Sequence, residues 1–320
     1  MEINQPSENH TDPVFSLAVS PNFSKDHICF AAKASGLYRS TNGGGTWTSV
    51  YGSLQLEGSL STSCVGLSPD FEQSKQVFAA VHGGILRSDD GGKTWTVSLL
   101  PTPAPFITSL QLSPQYVEDG TLIAGTLDDG ILRSVNRGAN WTPWNFGLLD
   151  NHVLCVAFSP GFHEDHSIFL GTESGIFMST NRGMSWREVP FPIESAPVIS
   201  LALSHQYPHD PKILAGTESS GLFASNDQGE NWDKVPENIF GMVNGICVLD
   251  SNNISSKVLV MEEQNFRIST RWDRDWQPLH TDVENMGQPT AMAIMNKGDG
   301  KVMVLAGYST GHIQTINIQN

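Results

Sequence analysis

A tryptophan recurs along this chain at nearly constant intervals of 48, 46, 45, 46 and 44 residues. The six members of the series are Trp47, Trp95, Trp141, Trp186, Trp232 and Trp276. Each ends a segment of the pattern Ser-x-Asp/Asn-x-Gly-x-x-Trp, which is complete in "SDDGGKTW" (88–95) and worn in "STRWDRDW" (269–276). A chemical site is usually single, whereas a period of about 45 residues marks a structural unit that stacks on its neighbours. The pattern therefore predicts a repeat protein.

Each repeat contains short apolar segments separated by turn residues. In residues 152–189 they are "VLCVAFS", "SIFLGT", "GIFMS" and the more polar "SWREV". Short apolar runs bounded by Ser, Pro and Gly indicate strands, and four antiparallel strands in about 45 residues make one propeller blade. No segment carries apolar residues at helical spacing, which excludes an α-solenoid.

These segments resemble the Asp-box (BNR) repeats of sialidases, xyloglucan-degrading hydrolases, sortilin-type receptors and photosystem assembly factors. The resemblance implies a β-propeller, but it covers both enzymes and binding proteins and does not decide function. Asn42, Asn136 and Asn181 stand where the pattern has its carboxylate. Because Asn and Asp both accept hydrogen bonds from a turn, this departure favours turn capping over metal binding.

The count of repeats predicts the closure of the ring. Six repeats are followed by residues 290–319, which contain three strands, and "MEINQ" at the start of the chain can supply the missing outer strand. An unpaired strand edge is a feature that natural proteins avoid. We therefore predict an all-β, seven-bladed β-propeller of four-stranded antiparallel blades, closed by the N-terminal strand, as a single domain over residues 1–320.

Charge and composition exclude several partners. The net charge of −15 disfavours nucleic acid and anionic membranes, which both need clustered Lys and Arg. The chain has no basic and apolar leader and no run of about 18 apolar residues, so we expect a cytoplasmic monomer that does not enter a membrane. The four cysteines lie in apolar runs without metal-ligand spacing and are expected to be reduced core thiols. We expect neither a cofactor nor a bound metal.

The blade pattern separates two faces. The turn between strands 1 and 2 lies with the Asp box on one face, which we call the Asp-box face. The reversal between strands 2 and 3 lies with the blade-to-blade connectors on the other, the connector face. Its loops vary most and are rich in acids, with Lys33 as their only Lys or Arg. A functional site is expected there, and the candidate ligand-binding residues are Lys33, His82, Asp128, Trp144, Asp150, His152, Glu173, Glu218, Glu262 and Tyr308.

Two functions remain open for this face. The first is a non-catalytic binding or assembly role for a protein, peptide, sugar or other small polar ligand. The second is a carbohydrate-active hydrolase or lyase that would use two carboxylates about 5–9 Å apart. The candidate catalytic acids are Asp128, Asp150, Glu173, Glu218 and Glu262. A sialidase is disfavoured because this face lacks the arginine cluster that would grip a carboxylate. A metal held by His82, His152, His280 and His312 is also disfavoured, since these histidines occupy unequal repeat positions.

Three structural expectations follow. The Asp boxes should be structural and their tryptophans largely buried between blades. The aromatic residues of the connectors, including Trp144, are expected to fill gaps between blades more than to form an exposed shelf. Asp128, Glu173, Glu218 and Glu262 should form an arc at the channel mouth, completed by His82, Lys33 and Tyr308, with mutual repulsion that raises the pKa of some of these acids.

Overall fold

The computed structural model describes residues 11–192, 197–235, 239–249, 257–279, 286–298 and 302–318. Its strands form seven antiparallel sheets, six with four strands and one with three. Blade 1 contains β1 Val14–Val19, β2 Cys29–Lys33, β3 Gly36–Ser40 and β4 Thr48–Ser49, and blade 2 contains β5 Thr62–Leu67, β6 Val77–Val81, β7 Gly84–Ser88 and β8 Thr96–Leu99. Blade 3 contains β9 Ile107–Leu112, β10 Leu122–Thr126, β11 Ile131–Ser134 and β12 Thr142–Pro143. Blade 4 contains β13 Val153–Phe158, β14 Ile168–Thr172, β15 Ile176–Ser179 and β16 Arg187–Val189. Blades 5 to 7 contain β17 Val198–Leu203, β18 Ile213–Thr217, β19 Leu222–Ser225, β20 Asp233–Lys234; β21 Val243–Leu249, β22 Lys257–Glu262, β23 Phe266–Ser269, β24 Gln277–Leu279; β25 Pro289–Asn296, β26 Val302–Tyr308, β27 Ile313–Asn317. The seven-bladed propeller is thus confirmed, while the N-terminal strand predicted to close it lies outside the described residues.

Short helices join the first and second strands of the first four blades. They are α1 Phe23–Asp26, α2 Phe71–Ser74, α3 Tyr116–Asp119 and α4 Phe162–Asp165. Each begins with a buried aromatic ring, and each ends at a residue in the left-handed conformation whose N–H bonds back to the first helical carbonyl. A separate 3-10 turn covers Gly52–Leu54. Over the described residues, no helix has the length and apolar character needed to cross a membrane.

Side-chain hydrogen bonds tie the inner strands of neighbouring blades to one another. Near the start of an inner strand, a hydroxyl, thiol or amide donates to the first carbonyl of the next blade's inner strand. The pairs are Cys64–Ile107, Thr108–Val153, Cys155–Val198, Ser200–Val243, Asn244–Pro289 and Thr290–Val14. The last pair, at 2.6 Å, joins blade 7 to blade 1 and closes the inner ring.

The cysteines are free thiols, as predicted. Burial raises the pKa of the Cys64 and Cys155 thiols to about 12, which keeps them protonated and able to donate the weak bonds just described. Cys29 and Cys247 show the same rise for the same reason.

The Asp boxes are turns held by their own side chains. In blade 2 the Asp90 carboxylate accepts from the Ser88 hydroxyl at 2.8 Å, from the Lys93 N–H at 2.9 Å and from the Thr94 N–H at 3.0 Å. Burial by itself would raise the pKa of Asp90, but these bonds together lower it well below its usual range. In blade 1 the Asn42 side-chain oxygen accepts the equivalent bond from the Thr46 N–H at 2.9 Å. The exchange of Asp for Asn therefore leaves the turn intact, as a capping role predicts.

The tryptophans of the boxes pack between blades. Four of them are buried, with 4–9% of their surface exposed, namely Trp141, Trp186, Trp232 and Trp276. Trp47 and Trp95 are half-buried. The Trp95 indole donates to the Val50 carbonyl of blade 1 at 2.9 Å, and the Trp186 indole donates to the Trp144 carbonyl of blade 3 at 2.8 Å. Each box therefore contacts the preceding blade, which explains why the motif repeats once per blade.

Candidate functional site

Backbone hydrogen bonds hold the loops of the connector face together. The Gly130 N–H donates to the Asn151 carbonyl at 2.9 Å, and the Glu173 N–H donates to the His152 carbonyl at 3.2 Å. The connector between blades 3 and 4 is therefore fixed against the reversals of both blades. On the opposite face the Arg182 N–H donates to the His166 carbonyl at 3.1 Å, which joins the Asp-box turn to the turn between strands 1 and 2. This is the division into two faces that the sequence predicted.

His152 lies among three carboxylates on the connector face. Its Nε2 is 3.5 Å from Asp128, and its Nδ1 is 3.2 Å from Asp150 and 3.5 Å from Glu173. Asp128 belongs to the reversal of blade 3, Glu173 to that of blade 4, and Asp150 to the connector between them. Four of the predicted site residues therefore meet at one place, which we call the His152 cluster. A single imidazole cannot neutralise three carboxylates, so the cluster carries a net negative charge.

Asp150 is the anchored member of the cluster. Its side chain is 11% exposed and accepts from the Ser174 N–H at 2.8 Å, from the Ser174 hydroxyl at 2.6 Å and from the His152 N–H at 2.9 Å. Burial would raise the pKa of Asp150, but these bonds outweigh burial and lower it to about 2. Asp128 and Glu173 are 73% and 61% exposed and accept no such set of bonds. They are the two carboxylates of the cluster that an incoming ligand can reach.

The other predicted acids do not join this cluster. Glu218 is exposed on the reversal of blade 5, where its N–H donates to the Pro197 carbonyl at 3.0 Å. His82 is exposed on the reversal of blade 2. Lys33 donates to the Gly311 carbonyl at 2.8 Å and lies 3.4 Å from Asp12, so its charge joins blade 1 to blade 7. Of the acids expected to form an arc, only Asp128 and Glu173 lie close together, and they belong to blades 3 and 4.

Two predicted members of the arc are turned inward. Glu262 is 8% exposed and its carboxylate accepts from the Arg267 Nε at 2.8 Å, within the same blade. Burial raises the pKa of Glu262, and Arg267 opposes that rise. The Tyr308 ring is fully buried and its hydroxyl donates to Gln314 at 3.2 Å. The prediction that these two side chains lie open at the mouth is wrong, because both end a central strand and pack inside blades 6 and 7.

The aromatic residues of the connectors divide into two groups. Tyr51 is buried against Trp95, and Phe191 packs edge-on against Phe223 and Trp232. Trp144 is half-buried and its ring lies 4.2 Å from the Arg133 guanidinium. These side chains fill gaps, as expected. Others are exposed, with Phe106 at 56%, Phe146 at 80% and Phe240 at 73%.

Exposed aliphatic side chains near the His152 cluster were not recognised in the sequence. Leu149, at 82% exposed, immediately precedes Asp150, and Leu127, at 40%, precedes Asp128. The Leu127 N–H donates to the Phe106 carbonyl at 3.0 Å, which brings that exposed phenylalanine beside the blade 3 reversal. Phe146 lies in the same connector as Leu149. We call Phe106, Leu127 and Leu149 the apolar border of the cluster. Large apolar residues inside two acidic loops were the signal that could have revealed it.

Three cavities are lined by residues that the structure describes, and the acids of the cluster line none of these three. The central channel, of about 600 Å³, is lined by the inner strands and includes Leu17, Leu110 and Ile246. A cavity of about 340 Å³ lies between blades 1 and 2, and one of about 270 Å³ lies between the turns of blades 4 and 5. Among the residues that the structure describes, no group of three or more His, Cys, Asp or Glu is arranged to hold a metal ion. His280, one of the four histidines considered in the sequence, lies outside those residues.

With the geometry established, comparison with known proteins identifies the repeat. The sequence profile of the BNR/Asp-box repeat matches residues 86–97. The chain contains a BNR/Asp-box repeat. The match falls on β7 and the turn that follows, where Ser88, Asp90 and Trp95 make the bonds described above. No curated protein sequence matches the chain.

Solved structures share the fold of this Asp-box propeller. A GH74 xyloglucanase from Xanthomonas campestris superposes with a TM-score of 0.73 at 18% identity, over 97% of this chain and 52% of the enzyme. A GH74 enzyme from Niastella koreensis gives 0.72 at 15%, over 95% and 52%. YCF48 from Cyanidioschyzon merolae gives 0.68 at 14%, over 96% of both chains. The chain thus spans about half the length of the two GH74 structures. At these identities the similarity shows the fold alone.

Proposed function

We propose that this propeller is a non-catalytic binding module that recognises a basic segment of a protein or peptide on its connector face. The His152 cluster carries the proposal. It places two exposed carboxylates, Asp128 and Glu173, on either side of one imidazole. Lys33, the only Lys or Arg of these loops, is already paired with Asp12. Among the residues that the structure describes, no lysine or arginine pairs with these two carboxylates, so the cluster keeps a negative charge.

The apolar border supports a peptide as the ligand. Leu149, at 82% exposed, immediately precedes Asp150 in the connector, and Leu127, at 40%, immediately precedes Asp128 in the reversal. Exposed apolar side chains beside charge are typical of surfaces that bind proteins, where the apolar contact supplies affinity and the charge supplies orientation and rate. A segment with a lysine or arginine next to an apolar residue matches both parts of the surface.

The hydrolase alternative receives less support from the same geometry. A general acid for glycoside hydrolysis needs a raised pKa, whereas the hydrogen bonds of Asp150 lower its pKa to about 2. Glu262, whose pKa is raised by burial, is paired with Arg267 and 8% exposed. Asp128 and Glu173 lie at an open surface and line none of the three cavities.

The test is the binding of a fluorescein-labelled nonapeptide of alternating lysine and leucine, measured by anisotropy at low salt. The glutamate–leucine peptide of equal length is the probe control. The variant Asp128→Asn/Glu173→Gln should weaken binding by roughly tenfold or more, because it removes both exposed charges. The matched control Glu118→Gln/Glu230→Gln changes the net charge equally on the Asp-box face, where both side chains are exposed, and should weaken binding about twofold or less.

Two results would overturn the proposal. Equal weakening in both double variants would mean that only the overall charge attracts the peptide. Release of reducing ends from xyloglucan oligosaccharides, lost in Asp128→Asn/Glu173→Gln but kept in the control, would establish the hydrolase instead.

A further inference from the structure

The cavity between blades 1 and 2 differs in character from the connector face. Its volume is about 340 Å³, and it lies between the outer strand of blade 1 and the Asp box of blade 2. Two cationic side chains line it, Arg39 and Lys93, together with the backbone of Gly52 and Gly92. The hydroxyl-bearing residues that line it are Thr41, Thr46, Thr48, Ser49 and Ser53. We propose that this cavity binds a phosphate-type oxyanion through Arg39.

Within the described part of the chain, Arg39 has no carboxylate partner for its charge. It pairs with Thr48 across β3 and β4, and its guanidinium lies 6.0 Å from the Phe30 ring. The buried Nε has no hydrogen-bond partner, and Arg39 forms no ion pair within the described part of the chain. Burial lowers its pKa below the ordinary value, and Asp26 and Asp90 act in the opposite direction. An arginine side chain stays charged in proteins. Because Arg39 lines the cavity and has no ion pair among the described residues, an anion in the cavity can supply the missing partner for its charge.

In the next two blades the arginine at this repeat position is either paired with a carboxylate or covered by an aromatic ring. Arg87 donates from Nε and Nη2 to Asp89 at 2.9 and 2.7 Å. The Arg133 guanidinium is covered by the Trp144 ring at 4.2 Å, although its Nε also lacks a partner. Blade 1 has Thr41 where blade 2 has Asp89, and Val50 where blade 3 has Trp144. With these two smaller residues, Arg39 has neither the carboxylate partner of Arg87 nor the tryptophan that covers Arg133, and it lines the cavity.

The nearby carboxylates of Asp90 and Asp26 do not pair with Arg39. Asp90 accepts four hydrogen bonds inside its own turn, and Asp26 accepts from the Ser20 hydroxyl and the Ile28 N–H. Lys93 forms no ion pair with any described residue. The hydroxyls of Thr41, Thr48, Ser49 and Ser53 are exposed and make no hydrogen bond to the part of the protein that the structure describes.

These groups suit a phosphate-type ion. The planar Arg39 guanidinium can donate hydrogen bonds to two oxygens of the ion, and the Lys93 ammonium adds a second positive charge. The exposed hydroxyls can bond the remaining oxygens. The inference is independent of the connector face, since it shares no residue with the His152 cluster.

The experiment is a titration of the ¹⁵N-labelled protein with sodium phosphate, at an ionic strength held constant by sodium chloride. The readouts are the amide signals of Thr48, Gly92 and Lys93 and the Nε–Hε signal of Arg39. We expect saturable shifts at all four, with binding at least about tenfold weaker in Arg39→Gln. Arg87→Gln is the matched control and should keep the affinity of the unchanged protein, because Arg87 is committed to Asp89.

A second variant keeps Arg39 and gives it a carboxylate partner. Thr41→Asp reproduces the Asp89 arrangement of blade 2, so it should pair with Arg39 and abolish phosphate binding while the protein stays folded. A phosphoserine peptide, titrated in parallel, separates the two sources of the ion. Tighter binding of the peptide indicates a phosphate displayed by a partner, and equal binding indicates the free ion. Shifts no larger than those in sodium chloride alone, or equal affinity in Arg39→Gln, would overturn the proposal.

Discussion

Trp186 shows how one side chain joins two blades. It is 4% exposed, packs in a cluster with Ile123 of blade 3 and Ile168 of blade 4, and donates to the Trp144 carbonyl. Trp186→Ala should lower the free energy of unfolding by about 3–5 kcal/mol, because it leaves a large cavity and an unpaired carbonyl. Urea unfolding measures the loss. Trp47→Ala, at a half-buried position, should cost clearly less, and equal losses would contradict this account of packing.

Asp150 predicts a specific dependence of stability on pH. Its pKa of about 2 lies below that of an unfolded aspartate, near 3.9. The folded state is therefore stabilised above pH ~4, and this contribution disappears as the pH falls towards 2. In Asp150→Asn, the free energy of unfolding measured with urea should fall between pH 5 and pH 2 by about 1–2 kcal/mol less than in the unchanged protein. The charge-matched control is Asp128→Asn, at a carboxylate that is 73% exposed; an equal change of slope in both variants would contradict the assignment.

At the scale of the element, blade 7 has three described strands where the other blades have four. Connectors from a fourth strand to the next inner strand hold from 7 residues (100–106) to 12 (50–61). Since β1 begins at Val14, the same spacing requires a strand that ends between residues 1 and 6. Asp12 lies beside Gly311, at the end of the ring where such a strand would finish. The sequence predicts that "MEINQ" supplies this outer strand, and these residues lie outside the described part of the chain.

Deletion of residues 1–8 tests this closure. In the full chain the amides of Ile313–Asn317 should exchange slowly with deuterium, because they pair on both sides. In the shortened chain, the amides directed away from β26 should exchange at least about tenfold faster. The amides of β23, which pairs with both β22 and β24, serve as the internal control. Unchanged protection of β27 would contradict the predicted closure.

At the scale of the whole molecule, the charge balance opposes folding. The chain carries 33 acidic and 18 basic residues, a net charge of −15. Self-repulsion destabilises a compact state and is screened by salt over about 10 Å at 0.1 M. The urea midpoint should therefore rise as sodium chloride increases from about 20 to 200 mM. Asp128→Asn/Glu173→Gln should reduce that rise, and a midpoint that falls with salt would show that ion pairs outweigh repulsion.

The sequence determined the repeat, the strand order and the separation of the two faces. These follow from local chemistry, because each box is closed by its own Ser, Asp or Asn, and each apolar run is short enough to be only a strand. Even the exchange of Asp for Asn was interpretable, since Asn42 makes the same turn bonds as Asp90. The prediction that four acids and Lys33, His82 and Tyr308 share one ring assumed that equivalent positions have equivalent environments.

Only the tertiary structure decided which of those residues meet. Asp128, Asp150 and Glu173 converge on His152 because one connector is bonded to two reversals. Glu262 turns inward because Arg267 in the adjacent strand supplies a partner, and Arg39 remains without one because Thr41 and Val50 are small. Pairing of this kind depends on neighbours that are distant in sequence or differ between repeats. A repeat pattern specifies the position of a side chain in its blade, whereas its charge partner is set by packing.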